Sequence, residues 1–227
     1  MSKRPAKPWL AALRLDKAAG LTPPIPTFTA ADFGDRAARR KELAERRAAP
    51  EPKADGSVVD PTKGPVIICD TREQEKHNSV YDFSDLGIAT VRAKLDVGDY
   101  ALLGAEGRMS LERKTIADAH SSLIGGRSRF EAELERSKAL EFFAILIEGT
   151  AAELAAYEHP LAAEKLTDAQ RAARPAQVLG TLLSWELRYG VHVIFGASRD
   201  RCRRRVVRYC ESFHRMIQEE REAGPRP

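Results

Sequence analysis

Three short apolar runs constrain this chain most: Val66-Ile67-Ile68-Cys69, Phe142-Phe143-Ala144-Ile145-Leu146-Ile147 and Val191-His192-Val193-Ile194-Phe195. Each is too short for a core helix and has a Pro or Gly within two residues of one end. A nearly unbroken apolar run of this length suits a strand covered on both faces. Residues 90–95 and 100–103 read as two further strands, the latter paired through a hairpin loop at 104–107 with 109–114. Between the strands lie stretches of helical periodicity. Thr115-Ile116-Ala117-Asp118 has the form of a capping box opening a helix that ends near Gly125-Gly126. A second helix spans about 128–140, a polar loop runs to about 174, and an amphipathic helix covers 177–189, whose Val178, Leu182, Leu183 and Trp185 read as core. Ser198 caps a last helix with the apolar stripe Cys202, Val206, Tyr209, Cys210, Phe213 and Ile217. The order is a strand, a β-meander, two helices, a strand, a helix, a strand and a helix. It predicts one α/β domain, a mixed sheet flanked by helices.

Composition sets the surroundings of that domain. Residues 1–60 carry 12 Lys/Arg against 8 Asp/Glu, whereas 61–227 carry 25 against 25, so the basic excess of +4 sits in the N-terminal segment. That segment is rich in Ala, Pro and charge with little apolar periodicity, and it reads as a flexible, disordered basic arm. The expected organisation is an arm at 1–60, a folded domain at 61–220 and a tail at 221–227. No apolar run approaches the roughly 20 residues of a membrane span. Cys69, Cys202 and Cys210 are odd in number and widely spaced, which fits reduced, buried thiols and a cytoplasmic setting. The folded part is neutral, so any nucleic-acid surface must come from local clusters such as Arg199, Arg201, Arg203, Arg204, Arg205 and Arg208, unless these only form a solvated helix face.

The chemistry concentrates between Gly98 and Lys114. Glu112 and Lys114 are two residues apart on one strand and share a face, while Arg113 points the other way. Antiparallel pairing brings Asp99 roughly level with Glu112. Two converging carboxylates repel each other, and a hard divalent cation relieves that repulsion. A cation-bound water oriented by Lys114 then has the means to attack a phosphodiester. Asp70, at the end of the first strand, is a third carboxylate nearby. The same residues also suit an ordinary surface hairpin braced by salt bridges.

Gly98-Asp99 followed by Glu112-Arg113-Lys114-Thr115-Ile116-Ala117-Asp118 resembles the GDxnERKxxxD signature of the XPF/Hef-type structure-selective nucleases. Asp70-Thr71-Arg72-Glu73, Ser122-Leu123 through Gly126-Arg127 and Phe130, and Ile145-Leu146-Ile147-Glu148-Gly149 resemble neighbouring family elements, so the likeness covers about 65–215. It implies a restriction-endonuclease-like fold and Mg²⁺- or Mn²⁺-dependent cleavage of DNA at branches or duplex/single-strand junctions. Asp70, Asp99 and Glu112 are then the metal ligands, with Lys114 and Arg113 catalytic. Arg72, Arg127 and Arg129 are phosphate contacts. The resemblance also implies a homodimer. With neither a helix-hairpin-helix module nor helicase motifs, the chain reads as a stand-alone, nucleoid-associated protein of bacterial or phage type. The competing expectation is a non-catalytic DNA-binding scaffold subunit, although the acidic residues that such subunits lose are intact here.

Overall fold

The computed structural model describes residues 64–72, 80–159 and 166–223. The N-terminal arm, Glu73, His77 and residues 224–227 lie outside the described residues. Six strands form one sheet: β1 (Val66–Asp70), β2 (Ala89–Ala93), β3 (Tyr100–Leu102), β4 (Met109–Thr115), β5 (Phe142–Glu148) and β6 (His192–Phe195). The helices are α1 (Ile116–Ile124), α2 (Arg127–Ser137), α3 (Ala151–Ala156), α4 (Asp168–Tyr189) and α5 (Arg199–Ala223). The spatial order is β2-β1-β3-β4-β5-β6, with β3 alone antiparallel to its neighbours. The predicted mixed α/β sheet with flanking helices is therefore present.

The sheet carries a core on each face. On one, Ile67, Cys69, Tyr100, Leu102, Leu111 and Leu146 pack against Cys202, Val206, Cys210 and Phe213 of α5. On the other, Ile145 and Ile147 meet Leu123 of α1, Phe130 and Leu134 of α2, and Val178, Leu182 and Trp185 of α4. All three thiols are buried and none is in a disulfide, as expected. Burial raises the Cys202 thiol to about 11, so it stays protonated and packs as a small apolar group.

Three expectations need correcting. The meander is absent, because β2 pairs with β1 in parallel and not with β3. Local alternation identified the strand but carried no information about its partner. The helix expected at 177–189 starts at Asp168, where Thr167 accepts from the Gln170 N–H and Gln170 returns a bond to Thr167 N–H. Pro175 sits inside the helix, where the missing N–H removes one ladder bond without ending it. Leu183, read as core, is 56% exposed, while Val178, Leu182 and Trp185 are buried.

Candidate active site

Because β3 alone is reversed, the carboxyl ends of the other five strands share one end of the sheet. Asp70 closes β1, and Glu112, Arg113 and Lys114 lie in the last half of β4. Gly98 brings Asp99 to the same place. Its φ of +77° belongs to the left-handed region, and a Cβ there would stand 2.3 Å from Ser110 Oγ and 3.0 Å from Leu111 O. Only glycine turns the chain this tightly against β4. Asp99 N–H then donates to Leu111 O at 2.8 Å, and Asp70 N–H donates to Asp99 O at 2.8 Å. The registers Cys69↔Tyr100 and Tyr100↔Leu111, extended by one residue, set Asp70, Asp99 and Glu112 side by side on one face of three adjacent strands.

The three carboxylates are nonetheless in different states. Asp70 is 1% exposed. Its Oδ1 accepts from Arg72 N at 2.7 Å and Nε at 2.8 Å, and its Oδ2 accepts from Leu95 N at 2.6 Å and Arg72 Nη2 at 3.1 Å. Arg72 Nη2 also donates to Leu95 O at 2.8 Å, so the Asp-x-Arg element clamps the main chain leading into the Gly98 turn. The hydrogen bonds to Asp70 hold the Arg72 guanidinium above its ordinary pKa. Asp99 Oδ2 accepts from Arg113 N–H at 2.7 Å. Glu112 Oε1 accepts from Lys114 Nζ at 2.9 Å, and that ammonium lies 4.1 Å from the centre of the Phe130 ring. Burial alone would push Lys114 down, but Glu112, then Asp99 and Glu133, outweigh it, and the amine stays charged.

Among the described residues no three of His, Cys, Asp and Glu stand together as a metal cage. Asp70, Asp99 and Glu112 are side by side, and both Asp70 oxygens accept hydrogen bonds from Arg72 and Leu95. A cation such as Mg²⁺ does not need a trio of this kind; it commonly takes one or two carboxylates and completes its octahedron with water and substrate phosphate oxygens. The hard oxygen donors of Asp99 and Glu112, one strand apart on the same face, fit that chemistry.

Arg113, expected among the catalytic groups, points to the opposite face, as the strand period requires. Its Nε and Nη2 donate to Glu148 at 2.8 and 3.0 Å, and Glu148 also accepts from Tyr81 OH at 2.7 Å and Arg199 Nη1 at 3.3 Å. Its guanidinium thus braces β4 from behind, while its main-chain N–H steadies Asp99. Asp118 lies in the first turn of α1, where the N-cap Thr115 accepts from its N–H and donates to its carboxylate. Arg127 pairs with Glu131 at 2.8 Å, and Arg129 is exposed at the start of α2. His120 is buried, edge-on to Tyr157, and burial lowers its pKa; it is away from the site.

Sequence reasoning missed Glu133, whose Oε1 accepts from Gly98 N–H at 3.2 Å. The signal was present. Phe130, Glu133, Leu134 and Ser137 share one face of α2, and a carboxylate on a packed face needs a partner. It also missed Glu148 and Tyr81 as the anchor of Arg113.

The family model for the ERCC4 domain matches residues 69–202, more than half of the 227. Among curated proteins none matches. Among solved structures the chain is similar to XPF from Aeropyrum pernix, with 21% identity over 68% of this chain and 65% of that one and a TM-score of 0.47. It is similar also to the same organism's XPF in complex with DNA, with 20% identity, 67% and 66% coverage and a TM-score of 0.48. Both matches span just under two thirds of those chains. The family match bears out the resemblance to XPF-type nuclease domains, and it runs from β1 into α5: the chain belongs to the ERCC4 domain family.

Proposed function

We propose that this protein is a divalent-metal-dependent endonuclease that hydrolyses phosphodiester bonds in DNA at branches or duplex/single-strand junctions. The observation that carries the reading is the placement of Asp99 opposite Glu112 on one sheet face, with the Lys114 ammonium 2.9 Å from Glu112. Mg²⁺ or Mn²⁺ held by Asp99 and Glu112 would supply an acidified water and a counter-charge for the phosphate. Lys114, kept charged and half-enclosed, stabilises negative charge that develops on the phosphate oxygens. Asp70 and Arg72 fix the chain on the approach to Gly98 and so hold the Asp99 backbone. Arg72, with a side chain 56% exposed, and Arg127 and Arg129 at the start of α2 take phosphates along the strand.

The same reading includes a homodimer. Leu179, Leu183 and Leu187 recur every fourth residue along α4 and are the exposed large apolar side chains among the described residues. They form a seam suited to a second copy.

The test is a panel of linear duplex, single-stranded, flap and splayed-duplex DNA with Mg²⁺, Mn²⁺ or EDTA. Cleavage of junction DNA is expected with either cation, and Asp99→Asn or Glu112→Gln should abolish it. Activity that persists in both variants would remove the assignment of the site. Tight binding without cleavage of any DNA would favour the scaffold reading.

A further inference from the structure

The six arginines at the start of α5 separate into two groups. Arg199 bonds to Glu148 and to Val80 O; Arg203 bonds to Asp82 O, Asp85 and Asp200; Arg204 bonds to Asp200. These three are fasteners. Arg201, Arg205 and Arg208 are exposed, and among the described residues no acidic side chain pairs with them. They recur at i, i+4 and i+7, which places them on one line along the helix. Ser212 and Arg215 continue the line, also exposed. From Arg201 to Arg215 the line is about 21 Å long, at 1.5 Å per residue. Glu211 and Glu219 lie one turn to either side of Arg215, while Arg201, Arg205 and Arg208 form a run of positive charge on a domain whose residues 61–227 are neutral in sum.

This placement works against the helix. The amino end of a helix carries partial positive charge and favours anions, so Arg201, in the first turn of α5, is unfavourably placed unless an anion comes to it. Position adds a second argument. α5 starts directly after β6, at the carboxyl-end rim that holds Asp70, Asp99 and Lys114, and Arg199 touches Glu148 at that rim. The stripe therefore begins at the same end of the sheet as the candidate site and runs away from it over the opposite face. The occupant follows from the residue types. A protein partner needs an apolar patch at its centre, and the stripe has no large apolar side chain. A nucleic-acid backbone needs only spaced cations, and guanidinium forks suit phosphate oxygens.

We propose that the Arg201–Arg205–Arg208–Arg215 face of α5 is a second DNA-binding surface, which takes the phosphate backbone of a duplex arm beyond the cleavage site. The inference rests on the nuclease reading above, since it supposes that DNA is the substrate.

The experiment is fluorescence anisotropy of the full chain with a labelled splayed duplex in EDTA, so that binding is read without cleavage, across a series of salt concentrations. Arg205→Gln/Arg208→Gln is compared with Arg136→Gln/Arg221→Gln, which removes the same charge from other exposed positions. Loss of two phosphate contacts should flatten the log–log salt slope by about 1.4 to 1.8. The same slope, counted from 1 M salt, corresponds to roughly 25- to 60-fold weaker binding at 0.1 M. The control pair should leave slope and affinity near wild type. If both pairs bind alike, the surface is not this face of α5, and cleavage by wild-type protein would leave the nuclease reading standing. A wild-type chain that neither binds nor cleaves DNA would overturn both.

Discussion

β4 holds two ion pairs of nearly identical geometry back to back. Lys114–Glu112 spans 2.9 Å with side chains 11% and 9% exposed, and Arg113–Glu148 spans 2.8 Å with side chains 10% and 9% exposed. Their surroundings differ. Behind the sheet, Glu148 takes hydrogen bonds from Arg113, Arg199 and Tyr81, and Tyr81 stacks on Tyr100 at 5.1 Å. Two cations there serve one carboxylate, a balance of +1. In front, Asp70, Asp99, Glu112 and Glu133 face Arg72 and Lys114, a balance of −2. Equal pairs can therefore do opposite work. The rear pair is closed upon itself and fixes the strand. The front pair sits in an acid excess that a bound cation would settle.

The strongest way to break this comparison is to remove one cation from each face. Arg113→Met leaves Glu148 buried with a weaker set of donors and should cost about 3–5 kcal/mol, read from urea unfolding. Lys114→Met strands Glu112 beside Asp99 and should also destabilise. The two losses should respond differently to Mn²⁺. Added metal should restore part of the Lys114→Met loss, because a ligand that binds only the folded state stabilises it, and should restore nothing to Arg113→Met. Equal responses would mean that the faces are not distinct.

Gly98→Ala tests the front alone. The left-handed backbone costs about 1–2 kcal/mol for a residue with a Cβ, and contact with Ser110 and Leu111 adds to it. Cleavage should fall by more than the change in stability accounts for, because the turn aims Asp99. A variant that keeps full activity would show that Asp99 does not depend on the turn. On the rear face Tyr81→Phe deletes only the hydroxyl that reaches Glu148. The expected loss is about 1.5 kcal/mol, the low end for a hydrogen bond to a charged acceptor, with cleavage per folded molecule unchanged. A lower rate per folded molecule would show that the rear anchor reaches the site through Arg113.

How much of this was legible follows from how far each interaction reaches along the chain. The apolar runs gave β1, β5 and β6, and strand alternation put Glu112 with Lys114 and turned Arg113 away. Thr115 with Asp118 announced α1. Each of these is local. What stayed hidden was the choice of distant partners. Nothing near Arg113 points to Glu148, 35 residues on, and nothing near Asp70 says that Leu95 N–H will occupy its Oδ2. Asp70 is thus tied to Arg72 and Leu95, and only the Arg72 half of that arrangement lies within reach of local sequence reading. β2 was recognised as a strand but assigned the wrong neighbour for the same reason. The start of α4 was placed nine residues late, because residues 168–176 carry no apolar stripe and read as a polar loop.

The smallest effect concerns a fastener on the rear side. Arg203 bridges Asp85 and Asp200, and these hydrogen bonds hold both carboxyls below their ordinary 3.8. In Asp200 the leading contribution comes from Arg204, with Arg203 second. A carboxylate depressed in the folded state stabilises above its unfolded pKa, and that contribution disappears as pH falls through the folded value. The contribution is thus full above about pH 4 and fades below it. Both groups are exposed, so the effect should be small and weakened by salt. Urea midpoints of wild type and Arg203→Gln should differ slightly at pH 6 and converge between pH 4 and 2.5. A difference that stays constant over this range would mean that Arg203 holds α5 through Asp82 O alone, since that carbonyl does not titrate.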